Sequence, residues 1–383
     1  MRLLHSFITL SFASLSVSAL GLSDDTVAKV KDKMLNIIHY SWENGTATEA
    51  LLELDEPDVS VYGKKPFPPP RVLSADSPVI KIAQYALAGR VPGKKPIMDG
   101  DGASGDPASM GVAVLLANST LQDPTYFRAA ADQLDFLLND VPRAPNGAIS
   151  HRESEVQPWN DFVYMAPPFI SYYGALTGNI TLVKEGKRQI GLYREILKDT
   201  NGTCLWHHVM MGSWQDPSFW GTGMAWVAAG ATRTLQTMAK SQFAFQLIPD
   251  MWELAGWTGE LINAAWQYQK PDGSLPNHAN LPDDFSDAAW TALLASATYR
   301  LAVQTGNEQW IHNAEKAFKW VETQIADDGT LKSVVNPLSW WELGAQSPEG
   351  QAFVLLLQAA YRDFCKYKQT WAAPTLLSIG WSH

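Results

Sequence analysis

The run Trp159-Asn160-Asp161-Phe162-Val163-Tyr164-Met165-Ala166 sets a carboxylate two residues after an indole, where a loop turns into an apolar helix. An aspartate at a helix start either caps the first backbone N–H groups or, facing a cavity, moves a proton as a general acid or base. Taken alone, the segment favours the cap. The rest of the chain shifts the weight, because it repeats the arrangement. Asp106 opens a second apolar segment, and His151, His208 and Trp220 stand in the linkers and helix starts of others.

The elements that would position these residues alternate between two kinds. Residues 24–42, 124–139, 181–199, 249–269 and 307–326 carry charges on one face and apolar residues at three- and four-residue spacing on the other. Residues 79–88, 106–117, 161–176, 219–237, 287–303 and 348–364 are apolar nearly all round and rich in Ala, Gly and Ser. Such helices are buried in protein or in lipid, and these are too short to cross a bilayer. Short turns with a left-handed glycine, as at Gly178 and Gly306, join an apolar helix to its amphipathic partner. The return linkers begin with Asn-Gly or Asp-Gly and continue extended. The period is roughly 55–65 residues, longer than the common solenoid repeats.

Six buried helices with five or six covering partners predict a closed ring, an (α/α)6 toroid, since an open array needs polar capping helices at its ends. In that reading residues 51–74, with five prolines, are an excursion, and 91–105 replaces one covering helix. Inner helices of such a ring all start at one end. That gathers Asp106, His151, Trp159, Asp161, His208, Trp220, His278, Asp287 and Glu349 around one mouth. Asp287 and Glu349 read as helix caps rather than catalysts.

The bulk numbers bound the setting. Met1 to Ala19 has a positive start, an apolar stretch and a small-residue cleavage site, so residues 1–19 are expected to be a secretory signal, leaving one domain over 20–383. Sequons at Asn44, Asn118, Asn179 and Asn201 fit a secreted chain. The formal charge of −10 argues against nucleic acid or anionic membranes as partners. Cys204 and Cys365 are the only cysteines and are not expected to pair. His207-His208 lacks metal-ligand spacing, so no metal or other cofactor is expected. Sixteen tryptophans exceed what a core requires, and flat indoles stack on the apolar faces of sugars.

Here the sequence resembles the unsaturated uronyl hydrolases, glycoside hydrolase families 88 and 105. Trp159-Asn160-Asp161 followed by Met165-Ala166-Pro167-Pro168-Phe169 matches the family's Trp-x-Asp and Met-Ala-x-Pro-Phe. Leu205-Trp206-His207-His208 looks like its aromatic-aromatic-His linker, and Phe219 to Trp226 looks like its Trp-x-Arg-Gly-Asn-Gly-Trp segment. Asp106-Pro107-Ala108-Ser109-Met110-Gly111 falls where the family has a second active-site aspartate. The likeness spans about residues 99–364. It implies an (α/α)6 barrel and hydration of the vinyl ether in a 4,5-unsaturated uronic acid, which releases the sugar behind it. It implies Asp161 as general acid and base with Asp106 as partner. His208, Trp159, Trp220, Trp226, Thr222, Met165 and His151 would line the sugar pocket.

An aspartic acid that gives a proton near neutral pH needs burial or a like-charged neighbour to hold it protonated. Asp106 facing Asp161 could supply both. Thr222 and Met224 replace the family's arginine and asparagine, so the carboxylate of the substrate needs another cation: Arg152, Arg233 or a lysine. Three functions stand at this point. The chain removes unsaturated uronic acid from pectin- or rhamnogalacturonan-type oligosaccharides, or it is an inverting glycosidase on saturated ones with Asp106 and Asp161 as acid and base. The third is a sugar-binding relative without turnover.

Overall fold

The computed structural model describes residues 20–91 and 93–377, with side chains as far as residue 370. The signal expected at 1–19 lies outside the described residues. In chain order the helices are α1 (Asp24–Ile37), α2 (Ser41–Asp55), α3 (Pro78–Ala88), α4 (Gly111–Leu121), α5 (Pro124–Asp135), α6 (Phe162–Met165), α7 (Pro167–Thr177), α8 (Ile180–Leu197), α9 (Gly221–Lys240), α10 (Ile248–Trp266), α11 (Ala288–Thr305), α12 (Ile311–Gln324) and α13 (Pro348–Leu377). Between α12 and α13 stands an antiparallel hairpin, β1 (Val334–Asn336) and β2 (Ser339–Gly344).

Six inner positions follow one another in sequence: α2; the 3₁₀ turn Asp106–Met110 running into α4; α6 with α7; α9; α11; and α13. Each packs on the next and α13 returns to α2, so the ring closes. α1, α3, α5, α8, α10 and α12 cover it from outside. This is the (α/α)6 toroid expected from the alternation. Inner helices are buried on every side: α9 from Gly221 to Met238 and α11 from Ala288 to Ala302. Covering helices bury only a stripe, as α5 does with Tyr126, Ala129, Ala130, Gln133 and Leu134. The third inner segment breaks at Pro167, whose ring cannot continue the backbone ladder of α6.

Two elements differ from the sequence reading. Residues 24–42 are not one amphipathic helix: α1 ends at Ile37, and a second helix, α2, begins at Ser41. That second helix is the first inner one. Residues 79–88 form the covering helix α3, packed across α2 and α4, so no covering helix is missing and 91–105 replaces nothing.

α2 hides its position because it buries Glu43, Asn44, Thr46, Thr48, Glu49 and Glu53. Glu43 accepts from the backbone N–H groups of His39 and Tyr40, and the other two carboxylates are matched by arginines from other inner helices: Arg233 pairs with Glu49 and Glu53, and Arg300 holds Glu53 at 2.5 Å and Asp363 at 2.7 Å. These residues lie toward the C-terminal ends of the inner helices, about 20 Å along the axes from their starts. The charge network therefore plugs the end of the ring opposite the linkers described below. Glu53→Gln leaves two buried guanidiniums short of a counter-charge, and the expected loss of unfolding free energy is about 3–5 kcal/mol. A urea melt showing a loss below about 1 kcal/mol would remove the plug from the account of stability.

Asn44 is 3 % exposed and its amide donates to the carbonyls of His39 and Tyr40, so that sequon has no room for a glycan in the fold. Asn179 and Asn201 are exposed. Both cysteines are free thiols, as expected. Among the described residues no helix is long and apolar enough to cross a membrane.

Candidate active site

The linkers at the N-terminal ends of the inner helices pair with one another. Trp159 bridges Val209, Asn160 N donates to His208 O at 3.0 Å, and Met210 N donates to Pro158 O at 3.1 Å. That pairing brings the His208 ring beside Asp161. α9 closes on the same turn because Gly223 faces Asn160, where a Cβ would sit 2.2 Å from Oδ1. The inner-helix starts and linkers enclose a cavity of about 160 Å³, whose walls include Asp106, His151, Trp159, Asp161, Met165, Trp220 and Trp226.

Asp161 is not a cap. It has helical φ and ψ and makes no side-chain bond to the first turn. Asp287 shows the contrast: it accepts from Ala289 N, Trp290 N, Val335 N and the Thr222 hydroxyl. Every lone-pair site of Asp287 is thus engaged, whereas Asp161 Oδ2 has no hydrogen-bond partner. Its nearest counter-charge is His208 Nε2 at 3.5 Å, an ionic contact too long for a good hydrogen bond. On its other side His208 Nδ1 lies 2.9 Å from Asp216 Oδ2. Burial opposes charge on His208, but the carboxylates of Asp161 and Asp216 outweigh it and raise its pKa. Burial likewise opposes charge on Asp216, yet bonds from His208 and Ser218 bring it down to about 2.

Asp106 sits in the 3₁₀ turn before α4, 7 % exposed. Burial and the charge of Asp161 hold its carboxyl well above the usual carboxylate range, against the opposing pull of Arg152. A proton-holding environment is thus built around Asp106.

His151 is stacked on Trp159, with ring centroids 5.0 Å apart, and burial pushes it down to about 4, so the ring is neutral. Trp220 leans on His208 at 4.5 Å. Met165 and Trp226, each 2 % exposed, form the floor, with Trp226 wedged between Tyr164 and Phe353. Thr222 is a correction: it is fully buried, its hydroxyl donates to Asp287 at 2.8 Å, and it does not line the cavity. His278 also turns away, bonded to Asp284 and stacked under Trp341.

Asp101, which with Asp99 is an alternative to Asp106 on sequence grounds, also lines the cavity, whereas sequence reasoning assigned no role to Trp42 or the hairpin. Trp340 on β2 reaches the cavity and meets the rings of Trp159, His208, Trp214 and Trp220. The Trp340-Trp341 pair inside a linker was the available signal. Glu349, expected at the mouth and read there as a cap, does line the cavity. Among the stand-in cations, Arg233 is consumed by Glu49 and Glu53. Arg152 lines the cavity, its guanidinium 6.0 Å from the Trp159 ring centre, and has no ion-pair partner among the described residues. Among those residues no cluster of three or more His, Cys, Asp or Glu side chains is arranged to hold a metal ion.

Residues 93–339 match the family model described as Glycosyl Hydrolase Family 88. The chain belongs to glycosyl hydrolase family 88. This family 88 chain is 21 % identical over 235 residues to the unsaturated rhamnogalacturonyl hydrolase YesR of Bacillus subtilis (strain 168), a match covering 59 % of the chain and 65 % of that relative, a little under two thirds of its length. A possible member of the GH105 family from Klebsiella pneumoniae superposes with a TM-score of 0.73 at 16 % identity, covering 96 % of each chain. A family 105 glycoside hydrolase from C. acetobutylicum does so with a TM-score of 0.69 at 15 % identity, covering 88 % of this chain and 99 % of that one. At such identities the two structures speak for the toroid alone.

Proposed function

We propose that this family 88 chain removes a 4,5-unsaturated uronic acid from the non-reducing end of lyase-generated oligosaccharides of the pectin or rhamnogalacturonan type. The observation that carries the reading is Asp106, held protonated by burial and the charge of Asp161, on one cavity with Asp161 and with Arg152, which makes no ion pair among the described residues. A vinyl ether needs an acid at C4 and water at C5, and the uronate carboxylate needs a cation. Asp161 is the member of the pair with the more open side chain, 16 % exposed to the cavity side, so it touches the reacting carbons. Asp106, more deeply buried, keeps the proton in the empty site.

The pair gives its proton to C4, and the positive charge that develops is shared by C5 and the ring oxygen. Asp161, now charged beside His208, takes a proton from water as its oxygen bonds to C5, which restores the pair. The hemiketal at C5 opens to a ketone, the hemiacetal at C1 collapses to an aldehyde, and the next sugar leaves with its oxygen protonated. One water is consumed and one glycosidic bond is broken. Arg152 holds the carboxylate, and the indoles of Trp159, Trp220 and Trp340 face the ring. The leader expected at 1–19 would put this reaction outside the cell, where polysaccharide lyases release such ends.

The test is spectroscopic, because the conjugated enol ether absorbs in the ultraviolet and its hydration product does not. Adding the protein to lyase-digested rhamnogalacturonan should bleach that band and release one reducing end per band lost. Reducing sugar released from saturated oligosaccharides without bleaching would replace the proposal with ordinary glycoside hydrolysis.

A further inference from the structure

One buried cavity carboxyl has no part in the proton transfer. Glu349, in the first turn of α13, lines the cavity and is 3 % exposed, and its Oε2 has no hydrogen-bond partner. It caps neither Gly350 nor Gln351, whose N–H groups Ser347 already receives. A buried oxygen left without a partner is costly, and such an atom on a cavity wall calls for a ligand that completes it. The walls grade from exposed Leu338 at the mouth to Met165, Trp226 and Glu349 at the floor, so the floor receives the leading end of whatever enters.

We infer that Glu349 is a substrate-binding residue whose free oxygen meets a ring hydroxyl of the terminal sugar at the cavity floor. The identity of that sugar rests on the uronide reading above; the contact itself does not. The charges acting on Glu349 are the acids Glu43 on α2 and Asp287 at the start of α11, opposed by hydrogen bonds from the Ser347 hydroxyl and its own backbone N–H; Asp101, Asp106 and Asp161, neutral His151 and the cation Arg152 share its cavity. Burial together with Glu43 and Asp287 pushes Glu349 up to about 8. It is therefore a neutral carboxylic acid below that pH, able to donate to a hydroxyl and to accept from one. It also adds no charge to a floor that must receive an anionic sugar.

The experiment follows binding by tryptophan fluorescence in an Asp161→Asn background, using an unsaturated disaccharide and its saturated counterpart, and turnover in the parent background. Glu349→Met should weaken binding of the disaccharide and raise KM about tenfold, as expected for one lost hydrogen bond in a closed site, with a smaller change in kcat. Glu349→Gln, which returns a donor, should recover most of that loss. The parent's KM should rise above about pH 8 as Glu349 ionises, and the Gln variant should lack that rise. Met-variant binding equal to the parent's overturns the inference. So do Gln and Met variants that are folded by circular dichroism, equally impaired and unchanged in pH dependence, since that pattern marks packing. If the parent bleaches no unsaturated substrate, the uronide reading fails, and binding of the saturated disaccharide still decides the contact.

Discussion

Asp161→Asn should lower kcat on an unsaturated disaccharide by about 10³-fold, with KM changed only a few-fold, because the amide keeps the shape and loses the proton transfer. The side chain caps no helix, and its nearest counter-charge, His208 at 3.5 Å, keeps Asp216 as a partner in the variant. Asp106→Asn should cost nearly as much by a different route, since the amide is neutral like the protonated acid and cannot pass a proton to Asp161. The double variant should be little worse than either single one, because the two act as a unit. In the parent, activity needs one proton on the pair, so the rate should fall at alkaline pH as the proton held by Asp106 is lost. Asp161→Asn with more than a tenth of the parental kcat would remove residue 161 from the chemistry.

What the sequence made legible follows from what burial does to composition. Inner helices without charge, such as α9 and α11, declare themselves, because an all-round apolar segment too short for a bilayer can only be interior. Asp106, His151, Trp159, Asp161, Met165, Trp220 and Trp226 then fall on one cavity because every inner helix starts at the same end. α2 could not be found that way. Its buried Glu49 and Glu53 are permitted by Arg233 and Arg300, which lie 184 and 247 positions further along the chain, beyond any local pattern. Thr222 was misread for a related reason: its helix faces both the cavity and Asp287, and the sequence gives the helix but not the rotation. The same holds for the proton. Asp106 and Asp161 are alike as residues, and only the depth of each in the cavity and the position of His208 tell them apart.

Arg152→Met should raise KM for an unsaturated uronide by roughly 10²-fold, the loss of a charge-assisted contact worth about 1.5–3 kcal/mol, and leave kcat much less affected. Arg152 is the cation on the described walls and makes no ion pair there, and Trp159 beneath it limits its wandering. The substrate offers a direct control. The methyl ester of the uronide should bind the parent about as poorly as the free acid binds the Met variant, and the variant should not distinguish the two. That non-additivity is the signature of a contact between the two groups. Arg152→Lys should recover part of the loss, since an ammonium supplies charge without the planar fork. A second readout separates this contact from general damage to the site. Arg152 helps hold Asp106 down, so removing it should push that carboxyl higher and move the alkaline fall in rate to higher pH. A Met variant that still prefers the acid to the ester, with its alkaline limb unmoved, would show that the carboxylate is held elsewhere.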